Sequence, residues 1–102
     1  MLVICNCPDA QSAERLATGV LNSRLAACVN RLAPVQSNYH WHGAVETAEE
    51  FPLHIKTTQA AFPRLQAWLL ANHPYDTPEI IALPVCAGLP AYLAWVHQEV
   101  HA

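Results

Sequence analysis

Apolar residues in this chain switch between two spacings: short runs typical of strands, and repeats every three or four residues typical of helices. The switches predict the order strand, helix, strand, strand, helix, strand, helix. The four predicted strands cover residues 2–7, 27–41, 45–57 and 79–85. Asp9 or Ser12 can cap the first helix. Thr58 or Gln59 opens the second helix, and Pro90 lies in the first turn of the last one.

This order of elements constrains the topology. Right-handed crossovers and a hairpin between the two middle strands place the four strands in one antiparallel sheet, with helices on one face. We therefore predict an α/β (α+β) fold, a ferredoxin-like βαββαβ sandwich with an extended middle hairpin and a C-terminal helix. The sequence has no linker, repeat or low-complexity segment, so residues 1–102 are predicted to form a single domain.

The middle hairpin is predicted to be longer than the rest of the sheet can pair. Its two strands are about twice as long as the outer two, so its far end lacks a partner within one chain. Unpaired edges that carry Tyr39, Trp41 and Phe51 would favour aggregation unless another subunit covers them. The hairpin therefore predicts an oligomer. Pro34 is compatible with an edge strand, whereas Pro52 predicts a bulge in the third strand.

The composition excludes two classes of partner. Only five residues are Lys or Arg and the formal charge is -3, which leaves no basic surface for nucleic acid and no polybasic patch for a membrane. The long uncharged stretch near the C-terminus is divided by Pro84, Gly88 and Pro90, so no membrane span is predicted. Because the chain begins without a basic, apolar leader, a cytoplasmic location is expected.

Four cysteines and six histidines are the residues best suited to bind metal. In a reducing compartment the thiols are expected to be free, either packed as small apolar groups or bound to metal. Cys5 and Cys7 lie two residues apart in a predicted strand, so both side chains point to the same face, and packing of at least one is favoured. The sequence has no Ser-His-Asp signature, glycine-rich phosphate loop or His-Glu-x-x-His motif, and no enzymatic activity is predicted.

Several strings, in order along nearly the whole chain, resemble the CutA divalent-cation tolerance family. They include Leu25-Ala26-Ala27-Cys28-Val29-Asn30, Ser37-x-Tyr39-x-Trp41-x-Gly43, Ile55-Lys56-Thr57-Thr58 and His73-Pro74-Tyr75-x-x-Pro78-Glu79-Ile80. The resemblance implies a ferredoxin-like fold, a homotrimer and a role in tolerance of divalent metal ions, especially copper, with no established reaction. His42 and Asn72 depart from the family pattern, in which glutamate is frequent at the first position and some members have histidine at the second.

The same resemblance selects Cys5, Cys28 and His73 as candidate metal ligands. Thiolate and imidazole donors suit copper or another soft metal ion, and thiolate favours Cu(I). Packing is the competing interpretation of both cysteines, because each lies in an apolar strand. The predicted function is that of a non-enzymatic copper-binding protein without an organic cofactor.

A second interpretation starts from Lys56, which lies in an otherwise apolar strand. A buried ammonium needs a carboxylate partner, and Glu50 is too far along the same strand to serve within one subunit. The chain could instead form an inter-subunit cleft for a small anion or metabolite, as in a PII-like ligand sensor. Five residues would line that cleft: Glu50, Lys56, Tyr75, Trp41 and Tyr39. A structural ion pair between subunits explains Lys56 equally well, and a scaffolding trimer is a third interpretation.

Overall fold

The computed structural model describes residues 1–101, which form five strands and three helices. The strands are β1 (Leu2–Cys7), β2 (Cys28–Arg31), β3 (Val35–Trp41), β4 (Ala44–Lys56) and β5 (Ile80–Leu83). The helices are α1 (Ala10–Asn22), α2 (Phe62–Asn72) and α3 (Pro90–Glu99). All pairings are antiparallel, in the order β2-β4-β1-β5, and β3 pairs with the remaining part of β4. The ferredoxin-like prediction is confirmed.

The predicted second strand is two strands in the structure. β2 ends at Arg31 and β3 begins at Val35, with Pro34 in the interval. Both pair with β4, β2 alongside its C-terminal part and β3 alongside its N-terminal part. Because proline has no N–H for a ladder, pairing is interrupted around it. The long hairpin is nevertheless present, and it is formed by β3 and β4.

The bulge predicted at Pro52 is absent from the ladder between β1 and β4. Asn6 pairs with Pro52, and the register continues on both sides of this pair. The carbonyl of Pro52 accepts a hydrogen bond from the Leu32 N–H at 3.0 Å, so the backbone of this residue faces away from β1. An N–H at this position would point toward the interval between β2 and β3, where there is no ladder. The missing N–H of proline therefore costs no ladder hydrogen bond. The registers of β2 and β3 against β4 differ by one residue, so residues 32–34 lie opposite residues 51 and 52 alone. The irregularity predicted at Pro52 is therefore present, but the extra residue lies in the segment that pairs with β4 and not in β4 itself.

α1 and α2 cover one face of the sheet. β1 points Val3, Cys5 and Cys7 toward the helices, and all three are fully buried. The helices contribute Leu16, Val20, Leu65 and Leu69 to this core. Ile81 and Leu83 alternate onto the opposite face of the sheet and are 49% and 43% exposed. One face of the sheet is thus packed, and the other exposes apolar side chains.

The two core helices begin differently. Asp9 caps α1 by accepting a hydrogen bond from the backbone N–H of Ser12 at 2.6 Å. α2 begins at Phe62, three or four residues after the predicted start, because Thr58 forms a separate turn. In that turn the Thr58 hydroxyl oxygen accepts a hydrogen bond from the Ala61 N–H at 3.2 Å.

α3 packs beside the main core in a small cluster of its own. Val96 and Val100 are buried against Ala61. Arg24 forms a salt bridge with Glu99 at 2.7 Å. This salt bridge joins the end of α3 to the segment after α1.

Candidate metal centre

Cys5 and Cys7 lie on β1, the strand between β4 and β5. Side chains two residues apart in a strand share a face, and here that face is the one covered by α1 and α2. Both cysteines have 0% exposure. The fold therefore places two free thiols side by side inside the core.

His73 reaches the same place from the end of α2, where it is the C-terminal cap. Leu65 and Leu69 are fully buried and hold α2 against the sheet, and Arg15 on α1 donates a hydrogen bond to the carbonyl of Asn72 at 3.0 Å. His73 is only 9% exposed.

The two sulfurs and one ring nitrogen of His73 all lie within 4.8 Å of one another. We call these three residues, Cys5, Cys7 and His73, the Cys–Cys–His cluster. Within residues 1–101, these three side chains are close enough together to bind one metal ion. Two metal–sulfur bonds of about 2.3 Å would span at most about 4.6 Å, so the spacing fits a shared metal ion with small adjustments.

Hydrogen bonds define the tautomer of His73. Its Nε2 lies 2.8 Å from the carbonyl oxygen of Asn6, and its Nδ1 lies 3.0 Å from the backbone N of Tyr75. A carbonyl can only accept and a backbone N–H can only donate. Nε2 therefore carries the proton and Nδ1 does not, so the imidazole is neutral.

The two thiols influence each other through a hydrogen bond. That bond and burial raise the pKa of Cys5. The same hydrogen bond lowers the pKa of Cys7, because the Cys5 thiol stabilises a thiolate there, although burial opposes this effect. Cys7 is therefore the first of the pair to ionise, and a cation that binds both sulfurs displaces the thiol protons.

Cys28, the other cysteine in the predicted ligand set, lies away from the cluster. It pairs with Lys56 on β4, whereas Cys5 pairs with Leu53. Residues 53 and 56 are an odd number apart in one strand, so the two cysteines point to opposite faces of the sheet. The structure brings Cys5 and His73 together but places Cys7, not Cys28, beside them. The signal for Cys7 in the sequence is its two-residue spacing from Cys5.

Lys56 finds a polar partner of a different kind from the predicted carboxylate. Its ammonium donates a hydrogen bond to the side-chain oxygen of Asn30 on β2. Among residues 1–101, no carboxylate lies within salt-bridge distance of Lys56. Glu50 lies farther along β4, where it pairs with Val35.

The remaining residues of the predicted cleft lie on β3 and in the segment after α2. Tyr75 follows α2, and burial together with the charge of Glu50 raises its pKa. Tyr39 and Trp41 lie toward the far end of β3 and are 40% and 52% exposed. The charges of Glu50 and Tyr39 both act on Tyr75, so these three residues of the predicted cleft lie within electrostatic reach of one another.

Comparison with known proteins agrees with this architecture. Residues 1–99 match the family described as CutA1 divalent ion tolerance protein. The chain belongs to the CutA1 family. The resemblance drawn from the ordered strings is confirmed, and the CutA1 match covers all of the secondary structure described above.

Individual CutA proteins differ in length and in named location. A mouse relative named Protein CutA is 44% identical over 92 residues, which cover 90% of this chain and 52% of the mouse protein. The chain thus spans about half the length of that relative. The divalent cation tolerance protein (Cut A1) of Thermus thermophilus has a solved structure with a TM-score of 0.96 and 39% identity, covering 98% of this chain and 97% of that one. A CutA structure from Archaeoglobus fulgidus, named a periplasmic divalent cation tolerance protein, has a TM-score of 0.95 and 36% identity, covering 98% and 97%.

None of the helices within residues 1–101 has the length and apolar character needed to cross a membrane.

Proposed function

We propose that this CutA1-family protein contributes to divalent-cation tolerance by binding copper, without catalysing a reaction. The observation that carries the proposal is the Cys–Cys–His cluster, in which two thiols and an imidazole lie within 4.8 Å of one another. Soft donors that meet in a core without forming a disulfide suit a metal that prefers sulfur. The names of the relatives, which refer to divalent-cation tolerance, point in the same direction.

The number and type of donors favour Cu(I) over zinc. Structural zinc is almost always held by four protein ligands in a tetrahedron, and the cluster offers three. Thiolate ligands select Cu(I), which accepts fewer donors, and the buried position would shield it from water. Cys5, Cys7 and His73 would hold the ion, and the bound ion would supply charge that stabilises both thiolates.

We further propose that the protein acts as a homotrimer in the cytoplasm. The face of the sheet opposite α1 and α2 exposes apolar side chains, and so does the β3–β4 hairpin. Other subunits of an assembly could cover both. The most exposed of these side chains are Val35, Trp41, Val45, Ile81 and Leu83. Four free cysteines suit a reducing compartment. Sedimentation at three times the 11.2 kDa chain mass would support the trimer, and sedimentation as a monomer would contradict it.

Copper titration of the reduced protein tests the binding proposal. Cu(I) is added against a competing chelator, and we expect one ion per chain. Cys7→Ala should weaken the affinity at least tenfold, because it removes one of three ligands. Cys86→Ala is the matched control, since Cys86 is exposed and outside the cluster.

Two results would contradict this site. One is copper binding that Cys7→Ala and His73→Ala leave unchanged. The other is binding that Cys28→Ala abolishes while Cys7→Ala does not, which would return the site to the ligand set predicted from the resemblance. Circular dichroism of each variant establishes that a lost affinity is not a lost fold.

A further inference from the structure

The ring of His73 has no free lone pair. Nε2 uses its proton to bond the Asn6 carbonyl at 2.8 Å, and the lone pair of Nδ1 accepts the Tyr75 N–H at 3.0 Å. A metal ligand must present an unprotonated nitrogen whose lone pair is available. His73 must therefore give up a hydrogen bond before it can coordinate.

The simpler route uses Nδ1. This nitrogen is already unprotonated, so it needs only to lose the Tyr75 N–H from its lone pair. The Nε2–H···O=C bond to Asn6 stays in place and orients the ring, as the second nitrogen of a metal-bound histidine commonly does.

The other route uses Nε2 and has the same consequence for Tyr75. Nε2 becomes a ligand only if its proton moves to Nδ1, since a neutral imidazole keeps one proton. A protonated Nδ1 would then face the Tyr75 N–H, donor against donor, and the two groups must separate. Both routes break the hydrogen bond between Tyr75 and His73.

The Tyr75 amide anchors an exposed loop, residues 74–79, that joins α2 to β5. The Tyr75 ring lies against the His73 ring with centroids 5.1 Å apart. At the other end of the loop, the side chain of Asn6 donates a hydrogen bond to Glu79 at 3.3 Å. His73 and Asn6 thus connect the buried cluster to both ends of a surface loop.

We propose that metal binding at the Cys–Cys–His cluster releases the Tyr75 amide from His73, so that the exposed loop 74–79 signals whether the cluster is occupied. The inference rests on the proposed metal-binding function and adds to it an output at the surface. A partner protein that distinguishes the metal-bound from the metal-free state would bind this loop. The metal ligands themselves stay buried.

Nuclear magnetic resonance of the reduced protein, with and without one equivalent of Cu(I), tests the inference. Exchange of the Tyr75 amide with solvent should become roughly two- to tenfold faster, the range expected for the net loss of one hydrogen bond. The 15N shift of the His73 nitrogens should change at the same copper concentration. Amides in the middle of α1 serve as the internal control.

Cys7→Ala, or Cys5→Ala if the first variant does not fold, is the matched variant. It keeps the bond between His73 and Tyr75 and loses a copper ligand, so added copper should leave its Tyr75 amide unchanged. If copper binds the cluster but leaves the Tyr75 amide exchange rate and the His73 15N shifts unchanged, this inference is wrong. The proposed metal-binding function would still stand. Failure of the wild-type protein to bind copper at the cluster would overturn both.

Discussion

Replacing His73 with alanine should destabilise the protein substantially, although the residue adjoins a surface loop. The substitution removes two hydrogen bonds, to the Asn6 carbonyl and from the Tyr75 amide, and leaves a gap at a site that is 9% exposed. Each bond contributes about 1 kcal/mol net, and a partner left unsatisfied in a partly buried place costs about 1–3 kcal/mol. The Tyr75 amide can turn to water because its residue is exposed, whereas Asn6 is half-buried in β1, one residue beyond the last pair with β5. We expect a loss of about 2–3 kcal/mol.

Denaturant unfolding of the metal-free protein measures this loss. Wild type and variant are compared at one protein concentration, because the stability of an oligomer depends on concentration. His97→Ala on α3 is the matched control, an exposed histidine whose replacement should change stability by no more than about 0.5 kcal/mol. If His73→Ala is no less stable than His97→Ala, the two hydrogen bonds do not hold the α2–β5 connection as described.

Three further predictions concern packing, capping and the thiols. Gly19→Ala should lower the unfolding free energy by about 1–3 kcal/mol despite the better helix propensity of alanine, because the new Cβ would overlap the Trp68 ring. A raised melting temperature would contradict this. The hydrogen bonds from Ser12 lower the pKa of Asp9 in the folded protein below the ordinary value of 3.8. The stabilisation that this cap contributes is therefore fully present above pH 3.8 and is lost as the pH falls through the folded-state pKa. Asp9→Ala should therefore make stability less dependent on pH below 3.8, and equal acid sensitivity in unfolding curves would count against the cap. Cys86 should be alkylated in the native protein while the two cluster thiols react only after unfolding, and mass spectrometry that finds all of them modified equally fast would refute their burial.

Local signals in the sequence predict much of the fold. β1 is predicted at its observed bounds because Pro8 ends an apolar run, and Asp9 is one of the two predicted caps of α1. The sequence pattern also places Pro90 at the start of α3. α3 packs only through its C-terminal half, so Leu89, which precedes it, is 70% exposed.

The composition of the cluster depends on contacts that no local pattern contains. Cys7 and His73 meet because α2 packs on β1, which brings together residues far apart in the sequence. Cys28 is excluded by the register of β2 against β4, and a shift of one residue would have placed its thiol on the helix-covered face. A single sequence indicates the strands but leaves this register open.

X-ray absorption spectroscopy of the copper-loaded, reduced protein tests the central claim most directly, because it counts the atoms bound to the metal. We predict two sulfur neighbours and one imidazole nitrogen, with one sulfur lost in Cys7→Ala and no change in Cys28→Ala. A copper ion surrounded by nitrogen and oxygen alone would contradict the claim and place the metal on exposed histidines outside the Cys–Cys–His cluster.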